Sequence, residues 1–328
     1  MRFVKNQSVK GIVRMTIALL ACLALVGWLV YKQDFDVIRS VDVGSIMSCL
    51  LLILACYSCS GAQYYQTVRQ LGCQMNGLDI VLYPLMNSLW GLIIPVQGAA
   101  LFGALYLKLK YRFKVSSSVV VIVFLYLMNF LFGGVAWLAY AMMADECSPL
   151  ALPIAALMLG MPLYLLIFRQ LVRRMGRIPL IPSRIQDGLC ECLDSLQVLF
   201  SNMRGMTILA ALQLLRQMLM ALMFVVVGKS CGFKVTMLWG YLVAVSQELS
   251  LVFKFTPGNI GLAEMVSGLV SSITGVSATD GVTVSLICNV LNVMLCLTVG
   301  FVGSWMFFHS YALKLKDVLS FFRQSRRK

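Results

Sequence analysis

The residue whose position most demands a chemical explanation is Arg216, an arginine ten residues into the apolar stretch 206–228 and flanked by Gln213 and Gln217. Helical spacing puts Gln213 on the same face as either Arg216 or Gln217. A guanidinium at that depth in a bilayer needs a counter-charge or water, and the carboxylates available to it are Glu248 and Glu264. Two chemistries fit. The planar fork of donors suits a phosphate-bearing headgroup, and an internal ion pair would fasten one segment to another. A second cluster surrounds the break Pro257-Gly258-Asn259-Ile260-Gly261, where Lys254, Thr256 and Asn259 supply donors and Glu264 follows as a helix restarts. The free N–H groups of that restart would hold a phosphate or the chain's own carboxylate. A matching break, Pro95-Val96-Gln97-Gly98, offers Gln97. Asn87, Asn129, Asn289 and Asn292 are further polar points in apolar segments, suited to interhelical hydrogen bonds.

No enzyme signature accompanies these residues. The chain has no phosphate-gripping P-loop, no HExxH and no nucleophile elbow, and its acidic residues are few and scattered. The expectation is a protein that is not an enzyme and carries neither cofactor nor metal. Most of the 11 cysteines fall inside apolar runs, where cysteine packs as a small hydrophobe. Cys56-Tyr57-Ser58-Cys59 has redox spacing but sits in such a run, and Cys147 and Cys231 are the pair that could face outside together. His309, the single histidine, has no ligand partner in the sequence.

The elements that must position these residues cross a membrane. Hydrophobic residues make up 60% of the 328, charged residues 12%, and mean hydropathy is +0.87. Six runs are long enough to span, near 12–31, 44–67, 115–141, 150–168, 206–228 and 282–308. Two more, 80–107 and 236–274, are broken by the Pro–Gly pairs (Pro95 and Gly98; Pro257, Gly258 and Gly261), and such breaks survive in lipid only where protein or a water-filled cavity covers them. Read as re-entrant hairpins, they place 21 of the 27 Lys and Arg residues on one face, leaving Lys32, Arg39, Lys229 and Lys234 on the other. The positive-inside rule makes the basic face cytoplasmic, with both termini inside and the chain integral to the cytoplasmic (inner) membrane. The charge lies along membrane edges and is not gathered on a domain, so anionic lipid headgroups are the expected partners and nucleic acid is not.

The fold class that follows is an all-α integral membrane protein with about six full spans, two broken hairpins and an inverted repeat. Repeat A runs over about 44–141 and repeat B over about 206–308. Gly98 precedes Asn129 by 31 residues, as Gly261 precedes Asn292. Between the repeats lies a cytoplasmic linker, 169–205, with an amphipathic helix after Ser183, and a basic tail occupies 309–328. The whole forms a single polytopic domain.

The stretch Phe255-Thr256-Pro257-Gly258-Asn259-Ile260-Gly261-Leu262-Ala263-Glu264, followed by Gly275-Val276-Ser277, resembles the Pro…Gly-x-Gly-x-x-Glu…Gly-Val pattern of the flippase-like membrane domain of lysylphosphatidylglycerol synthases. Leu92-Ile93-Ile94-Pro95-Val96-Gln97-Gly98, continuing to Tyr106-Leu107-Lys108, is similar to that family's upstream Pro-x-x-Gly motif. Two positions depart from the pattern. Ala99 stands where an acidic residue is usual, and Asn289 or Asn292 where an arginine is frequent. The resemblance implies a helical domain that moves a lipid between leaflets. The chain ends at Lys328 without the family's aminoacyl-transferase domain, so lysyl transfer is not expected. The leading expectation is therefore a flippase-like transporter of an anionic phospholipid or lipid-linked precursor, its headgroup meeting Arg216, Lys254, Thr256, Asn259, Glu264 and Gln97. The alternative is a non-catalytic membrane scaffold for a lipid- or glycan-modifying envelope enzyme.

Overall fold

Long and short helices alternate in a computed structural model that describes residues 42–94, 98–143, 149–175, 183–250 and 259–311, with only the backbone described for 165–175 and 183–190. The expected first span, the residues Pro95, Gln97, Lys254, Thr256, Pro257 and Gly258, Cys147 and the tail beyond 311 lie outside that range. The helices are α1 (Val43–Gln70), α2 (Gly77–Ile93), α3 (Gly98–Tyr111), α4 (Val115–Met143), α5 (Ala151–Met175), α6 (Ser183–Ser201), α7 (Met203–Ser230), α8 (Met237–Ser250), α9 (Leu262–Ile273) and α10 (Ala278–Ser310). A π-helical turn, Cys296–Gly300, interrupts α10.

Four of the described helices, α1, α4, α7 and α10, are long and apolar enough to cross a membrane. They correspond to the expected spans 44–67, 115–141, 206–228 and 282–308. The expected span 150–168 is helical too, and the described apolar part of α5 is Ala151–Tyr164. At 1.5 Å per residue, α2, α3, α8 and α9 reach roughly 26, 21, 21 and 18 Å, short of a hydrocarbon core of ~30 Å.

The buried side chains form two clusters at opposite ends of the long helices. One joins the start of α1 and α10 to the ends of α4 and α7, around Trp137, Phe224 and Trp239, and takes in α8 and α9. The other joins the end of α1 and α10 to the starts of α4 and α7, around Trp90, Phe102 and Tyr106, and takes in α2 and α3. Each pair of short helices thus builds the core of one end of the bundle. Trp90 stacks on Phe102 at 5.3 Å, and Phe307 closes on Tyr106 at 4.6 Å. At the opposite end the two indoles donate across helices, Trp137 Nε1 to Ser246 Oγ at 2.8 Å and Trp239 Nε1 to Ser271 Oγ at 2.9 Å.

The two halves repeat their backbone devices. Asp42 caps α1 by accepting from the Ser45 N–H, and Asn202 caps α7 by accepting from the Gly205 N–H, each at 3.0 Å. Both caps satisfy N–H groups that a helix start leaves free. Gly72 (φ +84°) and Gly232 (φ +80°) close the two helices. Around them Cys73 N bonds Val68 O, and Phe233 N bonds Gly228 O. Every one of these pairs is separated by 160 residues. The turns into α4 and α10 pass through positive φ at Arg112 and Gly275, 163 residues apart.

Helices α1 and α7 run antiparallel. Gln70 packs on Gly205, Gln63 on Gln213, and the Cys56 thiol reaches the Arg216 carbonyl at 3.8 Å. Cys56 and Arg216 are themselves 160 residues apart, so the two helices cross at equivalent positions.

The amphipathic helix expected in the linker is α6, and it rests on the bundle. Leu199 is buried, Phe200 meets Phe124 edge-on at 5.4 Å, and Glu191 accepts from Ser116 Oγ at 3.0 Å. The α2–α3 pair is pinned by Asp79, which is buried at the start of α2. It takes Lys110 Nζ at 2.7 Å and accepts from the Tyr111 hydroxyl, which in turn accepts from Asn76 N at 2.9 Å. Asp79→Ala is expected to lower stability by about 1–3 kcal/mol, because the half-buried Tyr111 hydroxyl loses its acceptor and the Lys110 ammonium its counter-charge. Thermal unfolding in detergent checks this, and an unchanged midpoint would mean that water already serves both donors.

Candidate functional site

A cavity of about 310 Å³ lies between the two buried clusters, where the short helices of both ends meet the middles of the long ones. Its walls come from α1 (Ile53 to Tyr64), α2 (Pro84 to Ser88), α4 (Ile122 to Asn129), α7 (Arg216 to Phe224), α8 (Gln247 to Ser250), Asn259, the start of α9, and α10 (Cys288 to Asn292). Polar residues gather here from the middles of the long helices, as Gln63, Asn129 and Arg216 do, and from the ends of short ones, as Glu248 does, where only a partner on another element or a ligand can satisfy them.

Arg216 is the centre of that set. Its Nη2 donates to Glu248 Oε1 at 2.8 Å and to Asn129 Oδ1 at 2.5 Å. Asn129 Nδ2 donates to the other carboxylate oxygen of Glu248 at 3.3 Å, and Gln213 Nε2 donates to Asn129 Oδ1. Gln63 Nε2 closes the chain on Gln213 Oε1 at 2.7 Å. One network therefore ties α1, α4, α7 and α8 together. The arginine and glutamate side chains are 11% and 4% exposed, so the pair is largely desolvated, the arrangement in which a lone charge costs most. The opposite edge of the guanidinium is held less firmly. Nη1 has Met220 Sδ at 3.8 Å, and Nε has no partner among the described residues.

Of the two carboxylates within reach by sequence, the structure pairs Glu248 with Arg216 and uses Glu264 otherwise. Glu264 is buried, caps α9 by accepting from the Gly261 N–H at 2.5 Å, and accepts from Asn289 Nδ2 at 2.6 Å. Gly261 adopts φ +93°, a conformation that only glycine takes without strain. The N–H groups considered for a phosphate are thus met in part by the chain's own carboxylate. Glu264 is not among the cavity-lining residues; it stands behind Asn289, which is.

Asn259 lines the cavity at φ +62° and donates to Ser250 Oγ. Gly98, the described member of the first break, donates its N–H to Ile94 O at 3.1 Å, and a Cβ there would lie 2.4 Å from the Trp90 carbonyl oxygen. Asn292 accepts from the Tyr57 hydroxyl at 2.8 Å. Lys254, Thr256 and Gln97 lie outside the described residues. Gln63, Tyr57, Ser88 and Gln247 are among the cavity residues that sequence reasoning missed. Each is uncharged within an apolar run and gave no signal of its own.

The described residues include no group of three or more His, Cys, Asp or Glu that could hold a metal ion. Cys56 and Cys59 are free thiols, and His309 stacks on Trp305 at 5.7 Å at the end of α10. Among the described residues, the charged groups lining the cavity are Arg216 and Glu248.

The chain is similar to a known membrane family: a family model described as lysylphosphatidylglycerol synthase TM region matches residues 12–300. No curated protein and no solved structure matches it.

Proposed function

Because the chain belongs to the lysylphosphatidylglycerol synthase TM-region family, we propose that it is a flippase-like lipid transporter, moving a phospholipid or lipid-linked precursor between leaflets. The observation that carries this reading is a polar cavity at mid-bundle with Arg216 at its centre, bounded by short helices from both ends. In transporters, substrate sites sit near the bilayer midplane between broken helices. A volume of about 310 Å³ is at the small end of ligand pockets and suits a headgroup, leaving acyl tails in the bilayer.

The two four-helix units are read as inverted repeats, α1–α4 and α7–α10, with α2–α3 and α8–α9 as re-entrant hairpins entering from opposite faces. Support comes from the 160-residue spacing of caps and turns and from the antiparallel crossing of α1 and α7 at equivalent residues. The basic face is cytoplasmic and both termini lie on it. Movement between leaflets would exchange the packing of one hairpin for that of the other around the fixed Arg216 site.

Arg216→Ala, in purified full-length protein reconstituted into vesicles, is expected to reduce leaflet exchange of a fluorescent phospholipid to the protein-free rate. Wild-type exchange in a folded variant would remove Arg216 from the mechanism.

A further inference from the structure

Three buried indoles mark the two ends of the bundle: Trp137 and Trp239 at the α8–α9 end, Trp90 at the α2–α3 end. The first two are bonded to serines across helices, Trp137 Nε1 to Ser246 Oγ at 2.8 Å and Trp239 Nε1 to Ser271 Oγ at 2.9 Å. Trp90 Nε1 is buried and has no partner among the described residues, and Ser304 Oγ on α10 is in the same condition. The two residues are 4% and 3% exposed. An indole N–H can only donate and a hydroxyl oxygen can accept, and each orphan carries its full desolvation cost. Native structures leave few buried polar groups in that state.

The two orphans belong to one contact. Ser304 lies one turn after Gly300 and one turn before Phe308, on the same face of α10. A Cβ at Gly300 would lie 3.3 Å from Leu89 Cβ, next to Trp90 in the chain, and the Phe308 ring meets the Trp90 indole edge-on at 5.6 Å. Ser304 also forgoes the carbonyls of its own helix. Thr298 and Ser310 donate to the carbonyls four residues before them, at 2.9 and 2.8 Å, and Ser304 does not. Directly before this contact α10 carries its π-helical turn, Cys296–Gly300, whereas its counterpart α4 is a continuous α-helix from Val115 to Met143. Such turns bend helices and are frequent at functional sites.

From this we infer that the last segment of α10, Phe301–Ser310, is a gate with two seatings on the α2–α3 hairpin. In the present seating the Trp90–Ser304 bond is open. In the other, α10 bends at its π-helical turn and Trp90 Nε1 donates to Ser304 Oγ. That bond is the counterpart of the two indole–serine bonds that already hold the opposite end, so the α2–α3 end is the one poised to move. The two parts of α10 are held differently. Before the turn it is bonded to the cavity wall, Asn292 accepting from Tyr57 at 2.8 Å and Asn289 donating to Glu264 at 2.6 Å. After the turn it meets the hairpin through apolar contacts, Phe307 on Tyr106 at 4.6 Å and Gly303 beside Met86. The gate stands on these contacts; only its link to lipid movement rests on the transport reading.

The test follows the Trp90 indole and lipid exchange separately, on the full chain. In isotope-labelled protein in detergent, the Trp90 indole resonance is assigned by its loss in Trp90→Phe. It is expected to show two peaks or millisecond relaxation dispersion, and Ser304→Ala is expected to abolish either. Ser304→Ala is also expected to leave the thermal midpoint unchanged or raised, since it deletes an orphan and no bond. In vesicles, each substitution is expected to slow exchange of a fluorescent phospholipid about fivefold, the weight of one hydrogen bond, and the double variant no further. A Cβ at Gly303 would lie 3.1 Å from Met86 Cγ, so oxidation of Met86→Cys with Gly303→Cys fixes the present seating. Exchange in that variant is expected to fall to the protein-free rate and to return on reduction.

A single Trp90 resonance without dispersion, a doubled or dispersed one that survives Ser304→Ala, or a lowered midpoint for that variant overturns the gate. Two seatings in a protein that exchanges no lipid uphold the gate and overturn the transport reading. Undiminished exchange in the bridged variant does the reverse.

Discussion

Glu248→Ala is expected to destabilise the protein by about 3–5 kcal/mol, because it leaves the Arg216 guanidinium in a nearly desolvated site with no counter-charge. Nη2 would retain only the amide oxygen of Asn129, which it already shares with Gln213. Arg216→Leu strands the carboxylate in the same way, with one long bond of 3.3 Å from Asn129 left to it. The double variant Arg216→Leu with Glu248→Leu removes both charges, and replacement of a buried pair by apolar side chains is often neutral or stabilising. Equilibrium unfolding in one detergent of the wild type, Arg216→Leu, Glu248→Leu and the double variant gives the coupling energy directly. Single substitutions costing under about 1 kcal/mol would show that water in the cavity solvates the pair as at a surface. The double variant also separates stability from function: it should fold and fail to exchange lipid. A pair retained only as a fastener would be dispensable in that variant, whereas a pair retained for the headgroup would not.

The reach of the sequence differs between scaffold and site for a physical reason. Breaks at Pro95–Gly98 and Pro257–Gly261 signal two pairs of short helices, since lipid tolerates no unsatisfied backbone; the arms of the first are too short to span, and for the second, whose stretch 236–256 is long enough to span alone, the placement of the basic residues argues for the hairpin. The helices found at Gly77–Ile93, Gly98–Tyr111, Met237–Ser250 and Leu262–Ile273 follow from that constraint. Arg216 was conspicuous for the same kind of reason, as a charge at mid-membrane depth. Its partner was narrowed to two carboxylates but not to one. Glu264 follows Gly261 by three residues, the spacing of a local cap, and the α9 start uses it up. Glu248 lies at the end of a separate helix, and only the packing of α8 against α4 and α7 brings it to Arg216. Gln63 and Tyr57 carried no signal of their own, because an uncharged polar residue in an apolar run is common. The π-helical turn at Cys296–Gly300 was equally invisible. It arises where α10 closes on α2, with Gly300 against the Leu85 carbonyl, and it turns Cys296 toward the Tyr57 hydroxyl at 3.2 Å.

The same closeness of backbones governs the seating of α2 on α1, and Gly61→Ala is expected to break it. A Cβ at Gly61 would lie 1.4 Å from the Ile80 carbonyl oxygen and 2.5 Å from its carbon. Neither atom belongs to a side chain that can swing away. Pro84 stands four residues after Ile80 and has no N–H to bond that carbonyl, so Ile80 O is a freed acceptor inside α2. Packed on the Gly61 Cα, it gains a weak C–H contact in place of the lost bond. An added methyl would push α2 off α1 and uncover that oxygen, and the expected cost is at least about 4 kcal/mol, at the upper end of single substitutions. Ile80→Gly should not rescue it, because the clash is with backbone. Gly72→Ala is the contrasting case, with φ +84° but no atom within 4 Å of the new methyl, and should cost about 1 kcal/mol. The equivalent crossing of α7 and α8 uses the same two positions with the glycine moved to the other helix. There Gly240, 160 residues after Ile80, faces the carbonyl oxygen of Ala221, 160 residues after Gly61, at 2.6 Å from a would-be Cβ. Gly240→Ala therefore needs a smaller displacement and should destabilise less than Gly61→Ala. Unfolding midpoints of the three variants in detergent, ranked Gly61→Ala lowest, then Gly240→Ala, then Gly72→Ala, check the argument. A reversed order of the first two would mean that the α1–α2 contact can slide where the α7–α8 contact cannot.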